Sequence, residues 1–419
     1  MAIRILIFLL VLFAIDLYVF QGVKVLIQNR VVQTQRIIAY AYWAISAISL
    51  GVIILGQYVD WHLWPKILRT YAFAIIVIIY LSKILVTVFM LLDDVIRLFR
   101  LIGAYIGMKF FSTPQEAAET TIRVSRLDFL VKLGFIVGSI PFFSMMYGMA
   151  GGAYNYRVRK VKLSAGNLPK NFDGLKVVQI SDLHTGSFMG PSQITKAIDL
   201  ILEQKPDVIF FTGDLVNDRH IEAVEFKEQL LRLKAPMGVY SILGNHDYGD
   251  YFRWDTQEEK ARNLVDLKNF HGELGWKLLL NSHTYLEKDG EKIGLIGVEN
   301  WSSRMNFHRY GDMEMAMAGM EKTPFTILLS HDPSHWDGEI TAKYKHVDLT
   351  LSGHTHGFQF GVEIPGFKWS PVQYIYKQWA DLYQEGSQYL YVNRGLGFLG
   401  YPGRVGILPE ITVFDFEKA

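Results

Sequence analysis

Two long runs without charge constrain this chain more than any other feature of its sequence. Residues 37–56 are twenty consecutive uncharged positions, and residues 71–92 contain Lys83 as their only charge. At a rise of 1.5 Å per residue, about 20 apolar residues in a helix cross the hydrocarbon core of a bilayer. Both runs therefore predict membrane-spanning helices.

Two further stretches are candidates for spans. The first, 3–20, carries Asp16 and has no small-residue cleavage site, which favours an uncleaved anchor over a secretory signal peptide. The second, 129–153, has Lys132 near its start and several glycines that permit close helix packing. We therefore predict a transmembrane domain over residues 1–156. Its spans are expected at about 3–20, 37–56, 71–92 and 129–153.

The basic residues that flank the spans do not decide which way the chain crosses the membrane. Four spans place both termini on one side, where the flanks hold seven Lys or Arg against eight on the other. Residues 125–132 resemble a twin-arginine export signal in which Leu127 replaces the second arginine, although basic residues flank many membrane helices. We follow the export-like pattern, which predicts a bacterial cell membrane with the C-terminal half outside the cytoplasm.

The charge balance separates the two halves of the chain. Residues 1–156 contain 13 Lys or Arg and 7 Asp or Glu, whereas residues 157–419 contain 29 and 34. The acidic second half disfavours nucleic acid as a substrate, because a phosphate backbone binds a basic surface. The chain has no cysteine, which excludes disulfides and thiolate metal ligands.

Residues 157–419 have the sequence pattern of an α/β domain. Short β-branched runs alternate with polar stretches of helical period, as in βα units with buried strands. The predicted strands are 175–181, 207–212, 238–243, 293–298, 325–330 and 347–352. The predicted helices are 191–204, 221–233, 256–274 and 312–320.

Polar residues of the kinds that bind metals follow these strands directly. The blocks are Asp182-Leu183-His184, Gly213-Asp214, Gly244-Asn245-His246-Asp247, Ser330-His331-Asp332 and Gly353-His354-Thr355-His356. Loops at the carboxyl ends of strands converge on one edge of an α/β sheet, so these residues can meet in one pocket. Carboxylate, amide and imidazole ligands without thiolate suit Mn, Fe or Zn. Their number exceeds one tetrahedral site and predicts two divalent metal ions that share a carboxylate, a centre suited to phosphoryl displacement by water.

The ordered blocks resemble those of the calcineurin-like metallophosphoesterases, and in particular a bacterial membrane-associated subgroup, over roughly residues 170–416. The resemblance implies a four-layer α/β/β/α sandwich with a dinuclear centre between its two sheets. It implies one metal held by Asp182, His184 and His356, a second held by Asn245, His331 and His354, and Asp214 as the bridge.

The resemblance also implies roles in catalysis. Water activated at the centre would attack phosphorus while His246 stabilises the phosphoryl group or protonates the leaving oxygen. Asp247 would orient His246 and favour its charged form, as a neighbouring carboxylate does. Asn217 and Asp218 stand where the Ser/Thr protein phosphatases have Asp-Arg, which argues against that activity.

The C-terminal part of the chain agrees with the same subgroup. Residues 393–397 and 404–411 resemble its C-terminal blocks, and some of its members act on phospholipid head groups or lipid-linked pyrophosphates. Phe358 stands where the subgroup usually has a second glycine after the last histidine block, so the pocket wall is expected to differ there. Arg394 could bind substrate phosphate with its guanidinium fork or pair with a carboxylate, and the sequence leaves both open.

Residues 301–320 and 367–383 are rich in methionine and aromatic side chains. They could form an apolar surface near the site that accepts acyl chains or lies on the bilayer. Ordinary core or loop packing is the alternative that we favour from the sequence.

The sequence thus predicts a membrane-anchored phosphoesterase for phosphodiester or pyrophosphate bonds. A lipid-linked substrate is favoured because the spans hold the domain at the bilayer. One alternative is a tethered phosphatase or phosphodiesterase for small soluble esters. The alternative from another class is a membrane receptor that binds phosphate without turnover, which the intact ligand set and His246 disfavour.

Overall fold

The computed structural model describes residues 2–59, 64–111, 128–305 and 307–419. The chain divides into two compact units, Met1–Met146 and Tyr147–Ala419. Residues 125–127 of the export-like pattern lie outside the described residues.

The first unit consists of long apolar helices. They are α1 (Ala2–Ile27), α2 (Val32–Tyr58), α3 (Lys66–Phe111) and α4 (Asp128–Tyr147), and a π-helical turn, Gly148–Gly152, continues α4. Within the described ranges, four helices are long and apolar enough to cross a membrane, and each contains most or all of one predicted span. At 46 residues, α3 is more than twice as long as a bilayer core requires.

Two of the charged residues within the predicted spans, Asp16 and Lys83, pair with each other inside this unit. Lys83 Nζ of α3 lies 2.5 Å from Asp16 Oδ1 of α1 and 2.9 Å from the Ser46 hydroxyl of α2. The Tyr80 hydroxyl donates to the other Asp16 oxygen at 2.9 Å. Ionisable groups are tolerated among membrane helices when they face the bundle and pair in this way.

The second unit contains two six-stranded mixed sheets. The strands of the first sheet are β1 (Arg157–Ala165), β2 (Lys176–Ile180), β3 (Val208–Phe211), β4 (Val239–Ser241), β5 (Lys277–Leu278) and β14 (Glu410–Lys418). Those of the second are β6 (Ser282–Lys288), β7 (Glu291–Gly297), β8 (Thr326–Leu329), β9 (Leu349–Ser352), β12 (Asp381–Glu385) and β13 (Gln388–Val392). The first sheet has the order β1–β14–β2–β3–β4–β5, and the second has the order β12–β13–β9–β8–β7–β6. A separate hairpin pairs β10 (Val362–Ile364) with β11 (Phe367–Trp369).

Helices cover the outer faces of the two sheets. They are α5 (Pro191–Glu203), α6 (Ile221–Val224), α7 (Lys227–Leu230), α8 (Gln257–Glu273), α9 (Met313–Met317) and α10 (Thr341–Lys343). All six predicted strands are confirmed, and the predicted helix 221–233 is divided into α6 and α7.

Apolar side chains from both sheets form one core between them. Phe210 and Tyr240 of the first sheet share this core with Leu295, Ile327 and Leu351 of the second. The outer face of the first sheet packs against α5 and α8, and that of the second packs against α9 and the turn 336–340. The predicted four-layer α/β/β/α sandwich is therefore the observed architecture.

Candidate metal centre

The ligand blocks lie at the carboxyl ends of five strands, as predicted. Asp182 follows β2, Asp214 follows β3 and Asn245 follows β4 in the first sheet, while His331 follows β8 and His354 follows β9 in the second. Neighbouring strands among these run parallel, so their carboxyl ends meet at one edge. The loops of both sheets consequently converge on one place.

Five of these residues adopt a backbone conformation that side chains other than glycine rarely take. The φ angles are +52° at Asp182, +48° at His184, +59° at Asp214, +72° at His354 and +49° at His356. Left-handed backbone at non-glycine residues is strained and concentrates at functional sites. The positive φ angles of these five residues lie in the loops that aim the candidate ligand side chains inward.

Glycines allow these loops to approach one another closely. A Cβ atom on Gly244 would lie 2.2 Å from Asp214 Oδ1, and one on Gly353 would lie 2.2 Å from Asp182 Oδ2. Any larger residue would push the carboxylates out of place. Gly244 and Gly353 are therefore required for the close approach of these loops.

The first ligand group consists of Asp182, His184 and His356, all buried. Nε2 of His356 lies 3.1 Å from Nε2 of His184 and 3.3 Å from Oδ1 of Asp182. The second group consists of Asp214, His331 and His354, with the Asn245 amide beside it. Nδ1 of His354 lies 3.3 Å from Nε2 of His331 and 2.8 Å from Oδ1 of Asn245. In each group the ligand atoms lie within 4.8 Å of one another.

Asp214 lies between the two groups. Its Oδ2 atom is 3.1 Å from Nε2 of His331 in the second group and 3.5 Å from Nε2 of His184 in the first. One carboxylate oxygen thus reaches both groups, which is the position that a bridging ligand requires.

The donor atoms fit divalent cations. Asp182 and Asp214 are at most 1% exposed, and their ion-pair contacts within the described residues are to histidines. Buried carboxylates need a cation or several hydrogen bonds, and the facing imidazole nitrogens can each bind one. Oxygen and nitrogen donors without sulfur suit Mn, Fe or Zn, as the sequence predicted.

Burial and neighbouring charges set the protonation of these ligands. Burial lowers the pKa of His184 to about 3, so its imidazole is neutral. Burial also acts to lower the pKa of His331, but the hydrogen-bonded Asp214 carboxylate outweighs it and raises that pKa to about 10. Metal ligation requires a neutral imidazole, so a cation bound between Asp214 and His331 would replace this proton.

His246 lies beside the first group without joining it. Nδ1 of His246 donates to the backbone oxygen of Asn217 at 2.8 Å, which leaves Nε2 as the ring nitrogen for a substrate. Its ring lies 5.0 Å from that of His184 and 4.7 Å from that of the half-exposed Tyr251. The Tyr251 hydroxyl also accepts from the Asn245 amide at 3.0 Å, which turns the amide oxygen toward His354.

The contacts of Asp247 correct the role that we predicted for it. Its carboxylate accepts backbone N–H groups of Gly244, Asp214, Leu215 and Val216 at 2.8–3.2 Å, and the Nδ1 partner of His246 is Asn217 instead. Burial, and after it the charge of Asp214, raise the pKa of Asp247 to about 7. The hydrogen bonds of the Asp247 side chain are to the loop that carries Asp214 and not to His246. Asp247 therefore fixes that loop.

Tyr376, which the sequence did not indicate as a site residue, positions His354 together with Asp332. The Tyr376 hydroxyl is 2.9 Å from Nε2 of His354 and donates to Oδ2 of Asp332 at 3.1 Å. Asp332 directly follows the ligand His331, and that adjacency was the available signal. Partners of this kind fix the orientation of a metal-binding histidine.

Arg404 is a second residue whose contact with the site the sequence analysis missed. It is 1% exposed, and its Nη2 lies 3.1 Å from Nδ1 of His356. Its guanidinium also donates to the backbone oxygens of His356 at 3.1 Å and Arg394 at 2.8 Å. Arg404 thereby holds the loop of His356 against the C-terminal segment.

The contacts of Arg394 match the second alternative from the sequence, in which its guanidinium pairs with a carboxylate. Its side chain is fully buried and pairs with Glu410 at 2.5 Å, Asp381 at 2.7 Å and Glu363 at 2.9 Å. Three carboxylates thus occupy the guanidinium, and substrate binding by Arg394 stays a prediction without support from its contacts.

The segments rich in methionine and aromatic residues divide between core and surface. Met313, Tyr376 and Trp379 are buried, in agreement with the packing alternative. Met315 and Tyr374 are exposed by 61% and 76%.

Comparisons with known proteins place both halves of the chain in described families. A family model described as "Probable Calcineurin-like phosphoesterase, transmembrane domain" matches residues 3–153, and one described as "Calcineurin-like phosphoesterase" matches residues 175–358.

Three relatives are informative. The uncharacterized metallophosphoesterase YkuE of Bacillus subtilis is 32% identical over 284 residues, which cover 64% of this chain and 91% of that protein. A transmembrane protein with metallophosphoesterase domain from Danio rerio is 29% identical over 281 residues, and the match spans 65% of this chain but only 60% of that protein. The UDP-2,3-diacylglucosamine pyrophosphatase LpxG of Chlamydia trachomatis is 28% identical over 281 residues, covering 55% of this chain and 81% of that protein.

Proposed function

The chain belongs to the calcineurin-like metallophosphoesterase family, and we propose that it hydrolyses a phosphodiester or pyrophosphate bond of a lipid-linked substrate at the membrane. The family is the one that the strand-end motifs predicted, and its members are metal-dependent phosphoric ester hydrolases. The four apolar helices and the matching transmembrane family make the chain a membrane protein.

The observation that carries the proposal is the position of Asp214 between two ligand groups. In the proposal, Asp182, His184 and His356 hold one divalent cation and Asn245, His331 and His354 hold the other. Asp214 would bind both, because its Oδ2 lies near a histidine of each group. Two such ions, when bound, supply activated water and charge stabilisation for an in-line displacement at phosphorus.

The protein's own side chains complete the reaction. His246 is the residue that would contact the phosphoryl group or protonate the leaving oxygen, through Nε2, because Asn217 fixes Nδ1. Asp247 acts as a positioning residue, since it holds the backbone of Asp214 and of the residues that follow. Tyr251 keeps the Asn245 amide oxygen directed at the second group.

Two observations support a lipid-linked substrate. The chain carries four helices able to span a membrane, so the catalytic unit is tethered to lipid. One relative is named as a pyrophosphatase of UDP-2,3-diacylglucosamine, a nucleotide-linked molecule with acyl chains. A tethered enzyme for small soluble esters would need no more than one helix as an anchor.

The test is a turnover screen of the full chain loaded with Mn²⁺, Fe²⁺ or Zn²⁺. Substrates are a chromogenic bis-phosphate ester, soluble nucleotides, phospholipids and lipid-linked pyrophosphates in vesicles. We expect turnover of a lipid-linked pyrophosphate or diester, and turnover of the soluble esters alone would contradict that expectation.

Variants separate metal binding from chemistry in the same screen. Asp214→Asn should lose bound metal and activity together, because the bridge is gone. His246→Ala should keep its metal content and lose most of its turnover, by about 10²–10⁴-fold for a general acid. His346→Ala, at an exposed histidine outside the centre, is the matched control. Wild-type rates in the first two variants would refute the assigned centre.

The proposal includes the side of the membrane. We propose that the catalytic unit faces outward from a bacterial cell membrane, on the resemblance of residues 125–132 to an export signal. Protease protection of the C-terminus in sealed right-side-out vesicles tests this, and protection from added protease would place the unit in the cytoplasm instead.

A further inference from the structure

The hairpin of β10 and β11 ends in an exposed tip without charge. The tip, Ile364-Pro365-Gly366-Phe367, turns at Pro365 and Gly366, whose φ of +80° suits the second corner of a turn. Ile364 is 58% exposed and Phe367 is 54% exposed. The two residues are cross-strand partners, so both side chains project from the same face of the hairpin.

The charged residues of the hairpin turn back onto the catalytic unit. Glu363 accepts from Arg159 Nη2 at 2.7 Å, and Lys368 donates to Asp381 at 2.7 Å. Side chains alternate along a strand, so this inward pairing of Glu363 and Lys368 sends their apolar neighbours outward. The hairpin thus presents only apolar side chains at its tip.

Phe358 adds a strained aromatic residue beside the hairpin. Its φ is +51°, within a run of four left-handed residues from His356 to Gln359, at the position where glycine is usual in the resembling subgroup. The ring is nevertheless 46% exposed, so core packing does not account for a phenylalanine here. Strain of this kind persists where the side chain has another use.

The base of the hairpin is hydrogen-bonded to the chain at the end of the fourth span. Gly361 N donates to Val405 O and Val405 N donates to Gln359 O, each at 2.8 Å. The neighbouring Arg404 N donates to Gly148 O at 3.2 Å. Gly148 belongs to the last turns of the membrane-spanning stretch Asp128–Gly152. The base of the hairpin is therefore linked through residues 404 and 405, within one compact unit, to the end of this candidate span.

We propose that Phe358 and the tip 364–367, together called the apolar lip, contact the hydrocarbon of the bilayer that the chain spans. An uncharged tip that is tied to the end of a membrane helix fits lipid, and amphipathic elements with this distribution lie in the interface. The part of this inference that concerns the substrate rests on the proposed function. Phe358 lies two residues after the ligand His356, so acyl chains held at the lip would place a lipid-linked phosphate next to the centre.

Lipid quenching tests the contact independently of any activity. The chain has no cysteine, so Phe367→Cys and Ile364→Cys each accept one fluorophore. Val265→Cys, at a valine of α8 that is 54% exposed, is the matched control. In phosphatidylcholine vesicles that contain doxyl-labelled phosphatidylcholine, we expect at least twofold stronger quenching at 364 and 367 than at 265. Equal quenching at all three positions would overturn the proposal.

A second arm separates this inference from the proposed function. The double variant Ile364→Asp/Phe367→Asp should hydrolyse a soluble chromogenic diester at the wild-type rate, whereas its rate on a vesicle-embedded substrate should fall several-fold. Val265→Asp is the control. If the labels at 364 and 367 are quenched but the enzyme hydrolyses no lipid, the contact of the apolar lip with the bilayer is supported and the lipid-linked substrate is rejected. If the labels are not quenched and the aspartate substitutions leave lipid turnover unchanged, the apolar lip is rejected and the proposed function is not.

Discussion

The Tyr376 hydroxyl lies 2.9 Å from Nε2 of His354, on the side of the ring opposite the second ligand group. Because it also donates to Asp332, it fixes which way the imidazole faces. We expect Tyr376→Phe to weaken metal binding at the second group by about tenfold, the lower end for such partners. Metal titrations of the purified chain, read as stoichiometry and as activity, would measure the loss.

Tyr374→Phe is the matched control for this change. Tyr374 lies two residues away and is 76% exposed, so removal of its hydroxyl should leave metal affinity unchanged. Equal affinity in the Tyr376 and Tyr374 variants would show that the hydroxyl does not position His354.

Residue spacing indicated the ligands of the centre but not the residues that hold them. Asp182, Asp214, Asn245, His331 and His354 follow buried apolar strands, and parallel strands bring their ends together without further information. Tyr376 comes from a loop 22 residues after His354, and no periodic pattern links the two. Asp247 was misassigned because adjacent residues in a turn project in different directions, so its place beside His246 in sequence implied no contact.

The contacts of Arg394 predict a stability effect instead of a substrate effect. Arg394→Met would leave the fully buried Glu410 without its closest cation, at a cost of about 3 kcal/mol, the low end for a broken buried pair because Arg159 stays near. Thermal unfolding should therefore shift downward while the KM of a soluble ester stays the same. Arg219→Met, at a more exposed arginine paired with Glu222, is the control. A raised KM with unchanged unfolding would restore the substrate-binding role.

Phe358 predicts a variant that gains stability. A left-handed residue other than glycine costs about 1–2 kcal/mol, so Phe358→Gly should raise the unfolding midpoint in detergent by about 2–4 °C. Phe358→Ala removes the same ring but keeps the backbone strain, so it should not raise the unfolding midpoint. Differential scanning fluorimetry of both variants measures the difference. Equal midpoints for the glycine and alanine variants would mean that the backbone is not strained.

His271 predicts how stability depends on pH. Burial lowers its pKa to about 3, and its Nδ1 lies 2.9 Å from the Ser241 hydroxyl. The unfolded chain takes up a proton near pH 6.5, whereas the folded chain stays unprotonated there until the pH approaches 3. Stability from His271 is therefore complete above about pH 6.5 and falls as the pH drops, by up to about 1.4 kcal/mol per pH unit.

The unfolding midpoint between pH 7.5 and pH 5 measures this dependence. His271→Asn retains a polar atom for Ser241 but cannot titrate, so its midpoint should fall less steeply with acid than that of the wild type. His308→Asn, at an exposed histidine, should follow the wild type. Parallel curves for the His271 variant and the wild type would contradict the effect.

The central strands were predictable because they are rich in apolar and β-branched residues, whereas charged residues made the edge strand β1 harder to recognise. β2, β3, β8 and β9 are buried on nearly every residue, so most of their side chains are apolar or β-branched. β1 contains Arg157, Arg159, Lys160 and Lys162 and lies at the edge of its sheet, where solvent accepts them. Its strand state depends on pairing with β14, more than 240 residues later, which no local pattern reports.

The pair of Lys83 and Asp16 predicts a non-additive effect in the membrane helices. Asp16→Leu would leave the buried Lys83 charged without its carboxylate partner, beside the Ser46 hydroxyl, at a cost of about 3–5 kcal/mol. Asp16→Leu/Lys83→Met removes both charges and should recover most of that loss, since lipid-like surroundings solvate neither ion. Thermal unfolding in one detergent compares the variants. Asp128→Leu, which breaks the exposed pair with Lys132, should cost at most about 1 kcal/mol. A double variant no more stable than Asp16→Leu would show that the pair does more than balance its own charges.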